Sequence, residues 1–305
     1  MRSGLKGTFS IVAADVEAGE IGCAVQSRYF AVGSVVPWAK AGVGAVATQA
    51  AGVAAYGPMV LALLEEGLEP AAALDRALAD DAARETRQLG VVTADGRAAA
   101  HTGGECLPWA GHRVGDGYAV QGNILAGEPV VTEMERVFLE TSGASLAERL
   151  VSALESAQAS GGDRRGQQSS AIVVERAGAA AESREGIDRI CELRVDDHPE
   201  PIVELRRLLG IHLVWDALRR ASLFHEPGEY AQGVKLLREA LGRHGEEPVL
   251  LYDLACFESL AGDTDEALAH VARSLELDPQ LRPGAAADSD FEALRQDPRF
   301  QAAVS

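Results

Sequence analysis

A threonine hydroxyl becomes a useful nucleophile once a base takes its proton, and Gly7-Thr8 offers a route to that base. If the chain were cut after Gly7, Thr8 would carry a free α-amine of ordinary pKa near ~8. That amine could serve its own side chain as the base. The plainer reading is a β-branched residue opening a strand. Four other places carry side chains suited to a site. Residues 161–170 (GGDRRGQQSS) put Asp163 beside Arg164 and Arg165 in a glycine-rich turn. An arginine there could grip a carboxylate with two parallel hydrogen bonds, or it could pair with Asp163 and fix the loop. Gln121-Gly122-Asn123 closes a strand-like run, where Asn123 with the glycine before it could supply two donors to a developing oxyanion or simply form a turn. Ser27-Arg28 and Gln49 close two more such runs.

The elements around these residues follow from apolar spacing. TFSIVAAD (Thr8–Asp15) and IGCAVQS (residues 21–27) are short, apolar and β-branched, with Gly19 in the link, so they predict a hairpin. Residues 43–49 predict a third strand. Residues 56–66 and 70–81 have helical spacing and are separated by Gly67. Residues 88–93 and 98–102 predict a hairpin around Asp95-Gly96, and residues 118–125 a further strand. Two helices, 129–139 and 145–159, come next, the second ended by Gly161-Gly162. Residues 169–175 and 190–195 predict returning strands. Strand groups flanking paired helices make an α+β arrangement of layered sheets with helices outside.

Beyond Pro201 the strand signal ends and the chain repeats itself. A shift of 34 residues aligns Ala221 with Ala255, Gly228 with Gly262, Gly233 with Ala267, Leu237 with Val271 and Ala240 with Ser274. Small residues at these places let paired helices approach closely. The period resembles that of tetratricopeptide repeats. Two units fall short of the three a free-standing solenoid needs, so the segment is expected to pack on the first domain or on a protein partner, with residues 289–295 as a capping helix. The expected domains are therefore residues 1–200 and 201–305.

Composition narrows the function classes. A net charge of −18 argues against nucleic acid and against anionic membranes. No run approaches the ~18 apolar residues of a membrane span. Arg2 and Lys6 precede an apolar stretch, but Asp15 ends it too early for a secretion signal. Cys23, Cys106, Cys191 and Cys256 are widely spaced, which fits reduced thiols in a cytoplasmic protein rather than disulfides or zinc. The seven histidines form no helical ligand pair, so neither a metal nor another cofactor is expected.

The motif series TFSIVAAD, AVQSRYFAVGSVVPWAKAGVGAVATQ, RQLGVV, QGNIL, GGDRRGQQS and RVDDHPEP resembles the bacterial proteins grouped as domain of unknown function 1028 (DUF1028), over roughly residues 8–208. That family is placed among the N-terminal-nucleophile (Ntn) hydrolases. The resemblance implies a four-layer αββα sandwich and the position of a site, with no substrate. In the wider class a Gly-Thr bond is a common self-cleavage point. Lys40 falls 32 residues after Thr8, as the active-site lysine follows the nucleophile in proteasome subunits, although a solvated surface lysine fits it too. Relatives of this kind often begin just before the position of Thr8. Here six residues and Gly7 precede it, so loss of Met1 alone would not free it. The class's acidic residue in the second strand has no counterpart in residues 23–26.

Two functions follow as expectations. In the first, the chain is an Ntn-type amidohydrolase that cleaves a C–N bond of a small molecule. Thr8 is its nucleophile, Asn123 and backbone amides hold the oxyanion, and Lys40 lowers the pKa of the amine. Ser27, Arg28, Gln49, Gln121, Asp163 and Arg164 line the substrate site. In the second, it is a non-catalytic Ntn-like scaffold that binds a protein through residues 201–305. A homodimer would suit either. A third variant keeps hydrolysis but uses Ser10, Ser27 or Cys23 as nucleophile.

Overall fold

The computed structural model describes residues 7–182, 186–226 and 228–305. They divide into two compact units, the residues up to Leu209 and Gly210–Ser305. The division falls inside a helix rather than at its start. The first turns of that helix belong to the first unit, where Arg206 hydrogen-bonds the Glu155 carboxylate at 2.7 and 2.9 Å and Ser152 at 2.8 Å.

In the first unit the strands are β1 (Thr8–Asp15), β2 (Glu20–Ser27), β3 (Pro37–Lys40), β4 (Gly44–Ala50), β5 (Arg87–Thr93), β6 (Ala98–Thr102), β7 (Gly111–Gly115), β8 (Tyr118–Asn123), β9 (Ser169–Arg176) and β10 (Arg189–Val195). Six form one sheet in the order β10-β9-β2-β1-β8-β7 and four form another, β3-β4-β5-β6, with every pairing antiparallel. The strand period of two decides what lies between the sheets. Val12, Cys23, Val25, Ala119 and Val173 from the first sheet meet Ala45, Ala47 and Val92 from the second in one buried cluster. The alternate residues Phe9, Ile11 and Ala13 are fully buried on the opposite face.

Each outer face is covered by a helix pair. On the second sheet, α1 (Tyr56–Glu65) and α2 (Pro70–Leu78) set Val60, Leu61, Leu64, Leu74 and Leu78 against Val46, Leu89 and Val91. On the first sheet, α3 (Pro129–Glu140) packs on β7 and β8, and α4 (Leu146–Ala159) on β1, β2 and β9. Ser145 and Glu148 close a capping box at the start of α4. Its end is released by Gly161 and Gly162, whose φ angles of 108° and 52° only glycine adopts readily. A short helix α5 (Ala179–Glu182) precedes β10.

The second unit is helical: the later turns of α6 (Pro201–Ser222), then α7 (Tyr230–His244), α8 (Pro248–Ala261), α9 (Thr264–Leu277), α10 (Arg282–Ala287) and α11 (Pro298–Val304). The shift of 34 residues carries α7 onto 264–278, the span of α9. The small residues it aligned sit where helices meet: Ala221, Ala255 and Ala267 are fully buried. At Gly233 a Cβ would lie 2.3 Å from the Phe257 ring. Glu258 of α8 is fully buried, gripped by Arg238 of α7 at 2.7 Å and His270 of α9 at 2.7 Å. The expected capping helix at 289–295 is a 3₁₀ turn, Ser289–Leu294.

Candidate functional site

The antiparallel register brings Thr8 to one end of the larger sheet, opposite Ser27 on one side and Asn123 on the other. Its Oγ1 donates to Ser27 Oγ at 3.0 Å, and Ser27 Oγ donates to the Gly7 carbonyl at 2.5 Å. Arg165 Nη2 donates to the same carbonyl at 2.7 Å. The oxygen of the Gly7–Thr8 peptide therefore accepts two short hydrogen bonds, one of them from a cation. Such bonds are about twice as strong as neutral ones. Thr8 itself is 2 % exposed.

Asp163 organises this end of the sheet. Its carboxylate pairs with Arg165 at 2.7 Å and accepts from the backbone N–H groups of Arg165 at 2.9 Å and Arg28 at 3.2 Å. It also lies against Gly7, where a Cβ would come within 2.7 Å of both carboxylate oxygens, so a glycine precedes Thr8 for want of room. Arg28 and Arg164 bond backbone carbonyls, the first in this loop and the second in the β6–β7 connection. Arg28 Nη1 donates to the Arg165 carbonyl at 2.9 Å and Arg164 Nη2 to that of Pro108 at 2.9 Å.

Between the sheets, behind Thr8, runs a chain of buried amides. Gln121 Nε2 donates to Ser10 Oγ at 2.7 Å, and Ser10 Oγ to Gln49 Oε1 at 2.6 Å. Gln49 Nε2 and Asn123 Nδ2 both donate to Gln88 Oε1, each at 2.9 Å. Gln88 Nε2 in turn donates to Gly122 O at 2.8 Å, joining the two sheets. These bonds hold the members of the chain to one geometry, although Gln121 Oε1 is buried without a hydrogen-bond partner among the described residues. Gln88 is its hub, and sequence reasoning passed it over as the start of a strand.

A cavity of about 120 Å³ opens beside Thr8, bounded by Ser27, Tyr29, Val32, Val35, Val36, Thr48, Gln49, Ala50, Gly52 and Ala54. Three non-glycine residues in left-handed backbone conformation flank this site: Ala50 in the wall (φ 66°), Ala31 beside Val32 (φ 53°) and Ile124 after Asn123 (φ 54°). Each costs on the order of 1–3 kcal/mol, which surrounding bonds must offset. Ile124 is held from both sides, its N–H by Leu107 O and its carbonyl by the N–H of Arg164, each at 3.0 Å.

Thr8, Ser27, Gln49, Gln121, Asn123, Asp163, Arg28 and Arg164 thus share one end of the sandwich. Arg165 and Gln88, which were not singled out, join them. Lys40 does not. It pairs with Gly44, five residues from Gln49 along β4, or about 17 Å at strand rise. Its half-exposed ammonium pairs with Glu65 at 2.6 Å. The spacing of 32 that suggested it measured sequence, and β3 carries the residue to the opposite end. Asn123 Nδ2 is committed to Gln88, which makes it a brace of the polar chain. Cys23 is fully buried between the sheets and burial pushes its thiol far above the ordinary range, so it offers no nucleophile. Ser10 is fully buried inside the amide chain. Among the described residues no group of His, Cys, Asp and Glu could hold a metal ion, and no helix is long and apolar enough to cross a membrane.

A family model described as "Family of unknown function (DUF1028)" matches residues 8–205. A solved structure, a protein from Silicibacter pomeroyi assigned to the same family model, is 30% identical, with a TM-score of 0.62 over 70% of this chain and 90% of that one. The search of curated proteins found no match.

Proposed function

The chain belongs to the DUF1028 family, and from that premise we propose that it is an Ntn-type amidohydrolase whose nucleophile is Thr8. The observation that carries this reading is the pair of donors, Ser27 Oγ and Arg165 Nη2, on the carbonyl of the one peptide bond whose cleavage would free the Thr8 amine. The succession of helix pair, sheet, sheet and helix pair supports the αββα architecture of that class.

In the proposed self-cleavage, Thr8 Oγ attacks the Gly7 carbonyl carbon. The hydroxyl proton passes to Ser27, whose own proton goes to the Gly7 oxygen, with Arg165 stabilising the charge there. Collapse of the adduct breaks the C–N bond. The Thr8 nitrogen takes a proton back through Ser27, which leaves an ester. Water hydrolyses the ester, and residues 1–7 depart as a carboxylic acid. The freed amine then takes the Thr8 proton when a substrate amide binds. Ser27 and Arg165 fill the oxyanion role first assigned to Asn123, and Asp163 orients Arg165.

Intact-mass measurement of the purified chain tests the reading. A mass lacking residues 1–7, lost in a Thr8→Ala chain, is the expected result. Amide hydrolysis by a chain engineered to begin at Thr8 is expected as well. Full-length mass together with an inert Thr8-first chain would overturn it.

A second reading, a scaffold without catalysis, is favoured by the near-complete burial of Thr8 and by the solvated Lys40–Glu65 pair. The helices of Gly210–Ser305, in register at 34 residues, would then be a tetratricopeptide-like surface for a protein partner.

A further inference from the structure

Charge is distributed unevenly around Thr8. On the Gly7 side stand Asp163, Arg165, Arg28 and Arg164, Asp163 paired with Arg165 and the guanidinium groups of Arg28 and Arg164 engaged by the carbonyls of Arg165 and Pro108. On the other side is the cavity, and no Asp, Glu, Lys, Arg or His lines it. Its apolar wall is Val32, Val35, Val36, Ala50 and Ala54. Of the hydroxyl-bearing residues that line it, Thr8 donates to Ser27 Oγ, Ser27 to Gly7 O and Thr48 to Val53 O, and Tyr29 adds a neutral phenol. Gln49 is held at both ends by Ser10 and Gln88.

We propose that this cavity takes a neutral, apolar substituent no larger than a benzene ring, so that the substrates are small uncharged amides such as short branched or aromatic carboxamides. This rests on the reading of Thr8 as nucleophile and adds the substrate class to it. Size sets the upper limit: an apolar cavity of about 150 Å³ holds one benzene, and the space here is about 120 Å³. Chemistry sets the charge. A carboxylate or ammonium entering this wall would lose its water and find no counter-charge, which excludes it strongly. Carboxylate recognition by the neighbouring arginines, which the sequence allowed, has no opening into the cavity, because their guanidinium groups bond Asp163 and backbone carbonyls.

The test measures binding apart from turnover. The full chain carrying Thr8→Ala is titrated with isobutyramide, benzamide, octanamide and succinamate, using ligand-detected NMR. Isobutyramide and benzamide are expected to bind, octanamide and succinamate at least about tenfold more weakly. Ala54→Leu, which fills the cavity, is expected to weaken benzamide by about tenfold or more with a native melting curve. Val36→Ala, which only removes atoms, is the check should Ala54→Leu not fold; it is expected to shift preference toward the larger amide. Equal binding of succinamate, preference for octanamide, or no binding of any amide to folded protein would overturn the proposal. Hydrolysis by the Thr8-first chain is scored separately. If amides bind as expected and that chain is inert, the nucleophile reading falls while the cavity assignment stands.

Discussion

Asp163 and Glu258 are both withdrawn from solvent, each beneath an arginine, yet they are held in opposite ways. Glu258 uses both oxygens on other helices, Oε1 on Arg238 of α7 and Oε2 on His270 of α9, so its charge ties three elements together. Asp163 takes its arginine from two residues along the same loop, and that arginine reaches past it to the Gly7 carbonyl. The first arrangement is a brace between elements. The second orders one end of a sheet and brings a cation onto the Gly7–Thr8 peptide. A buried ion pair therefore says little about role until the far side of the cation is traced.

The most severe way to break the contrast is to remove the proposed nucleophile. In a Thr8-first chain, Thr8→Ala is expected to lower amide hydrolysis by on the order of 10³-fold or more, read from product formation, with the melting temperature held. Arg238→Met and Arg165→Met then separate brace from site. Arg238→Met strands a buried carboxylate with one partner and is expected to destabilise the helical unit by about 3 kcal/mol in urea unfolding. Arg165→Met strands the buried Asp163 carboxylate and is likewise expected to cost about 3 kcal/mol of stability, but unlike Arg238→Met it is also expected to slow release of residues 1–7 by roughly 10²–10³-fold, followed by mass.

A smaller effect concerns a carboxyl with no cation. Burial and the Asp288 and Asp290 carboxylates push Asp253 up to about 6. The folded state thus binds this proton more tightly than the unfolded one, whose ordinary value is ~3.9. The stability this gives is full below ~3.9 and lost as pH rises through about 6. Asp253→Asn is expected to stabilise the helical unit by about 1–2 kcal/mol at pH 7.5 and by nearly nothing at pH 3.5, measured by melting at both. Least of all, Lys40→Ala is expected to move stability by less than ~0.5 kcal/mol and hydrolysis not at all, since an exposed pair contributes little.

Much of the fold was legible because burial is regular. β1 matches residues 8–15 and β6 matches 98–102, while most other elements agree within a residue or two. The strands that escaped reading are β3 and β7, each at a sheet edge. PWAK and GHRVG bury little, so no alternation marks them. At the site, the motifs pointed to Thr8, Ser27 and Asn123, because each closes or opens a strand, and to Asp163, because it stands in the glycine-rich turn after α4. Gln88 and Arg165 were hidden for different reasons. A buried glutamine reads like any polar strand residue until its five partners are known, and adjacent arginines cannot be told apart before the loop is folded. Lys40 misled because residue counting ignores which way a strand runs.

The residue ahead of the proposed nucleophile invites a genetic experiment. Gly19, at φ 68°, is a glycine kept for its backbone conformation, but open space surrounds it, and in a library randomised there asparagine or aspartate would survive. In a library randomised at codon 7, the carboxylate standing where a methyl group would go should eliminate every variant except the original. If the inherited letter at that codon proves irreplaceable for maturation yet dispensable once the leader has been trimmed in advance, its constraint belongs to the chain's first chemical act rather than to its later life as a folded protein.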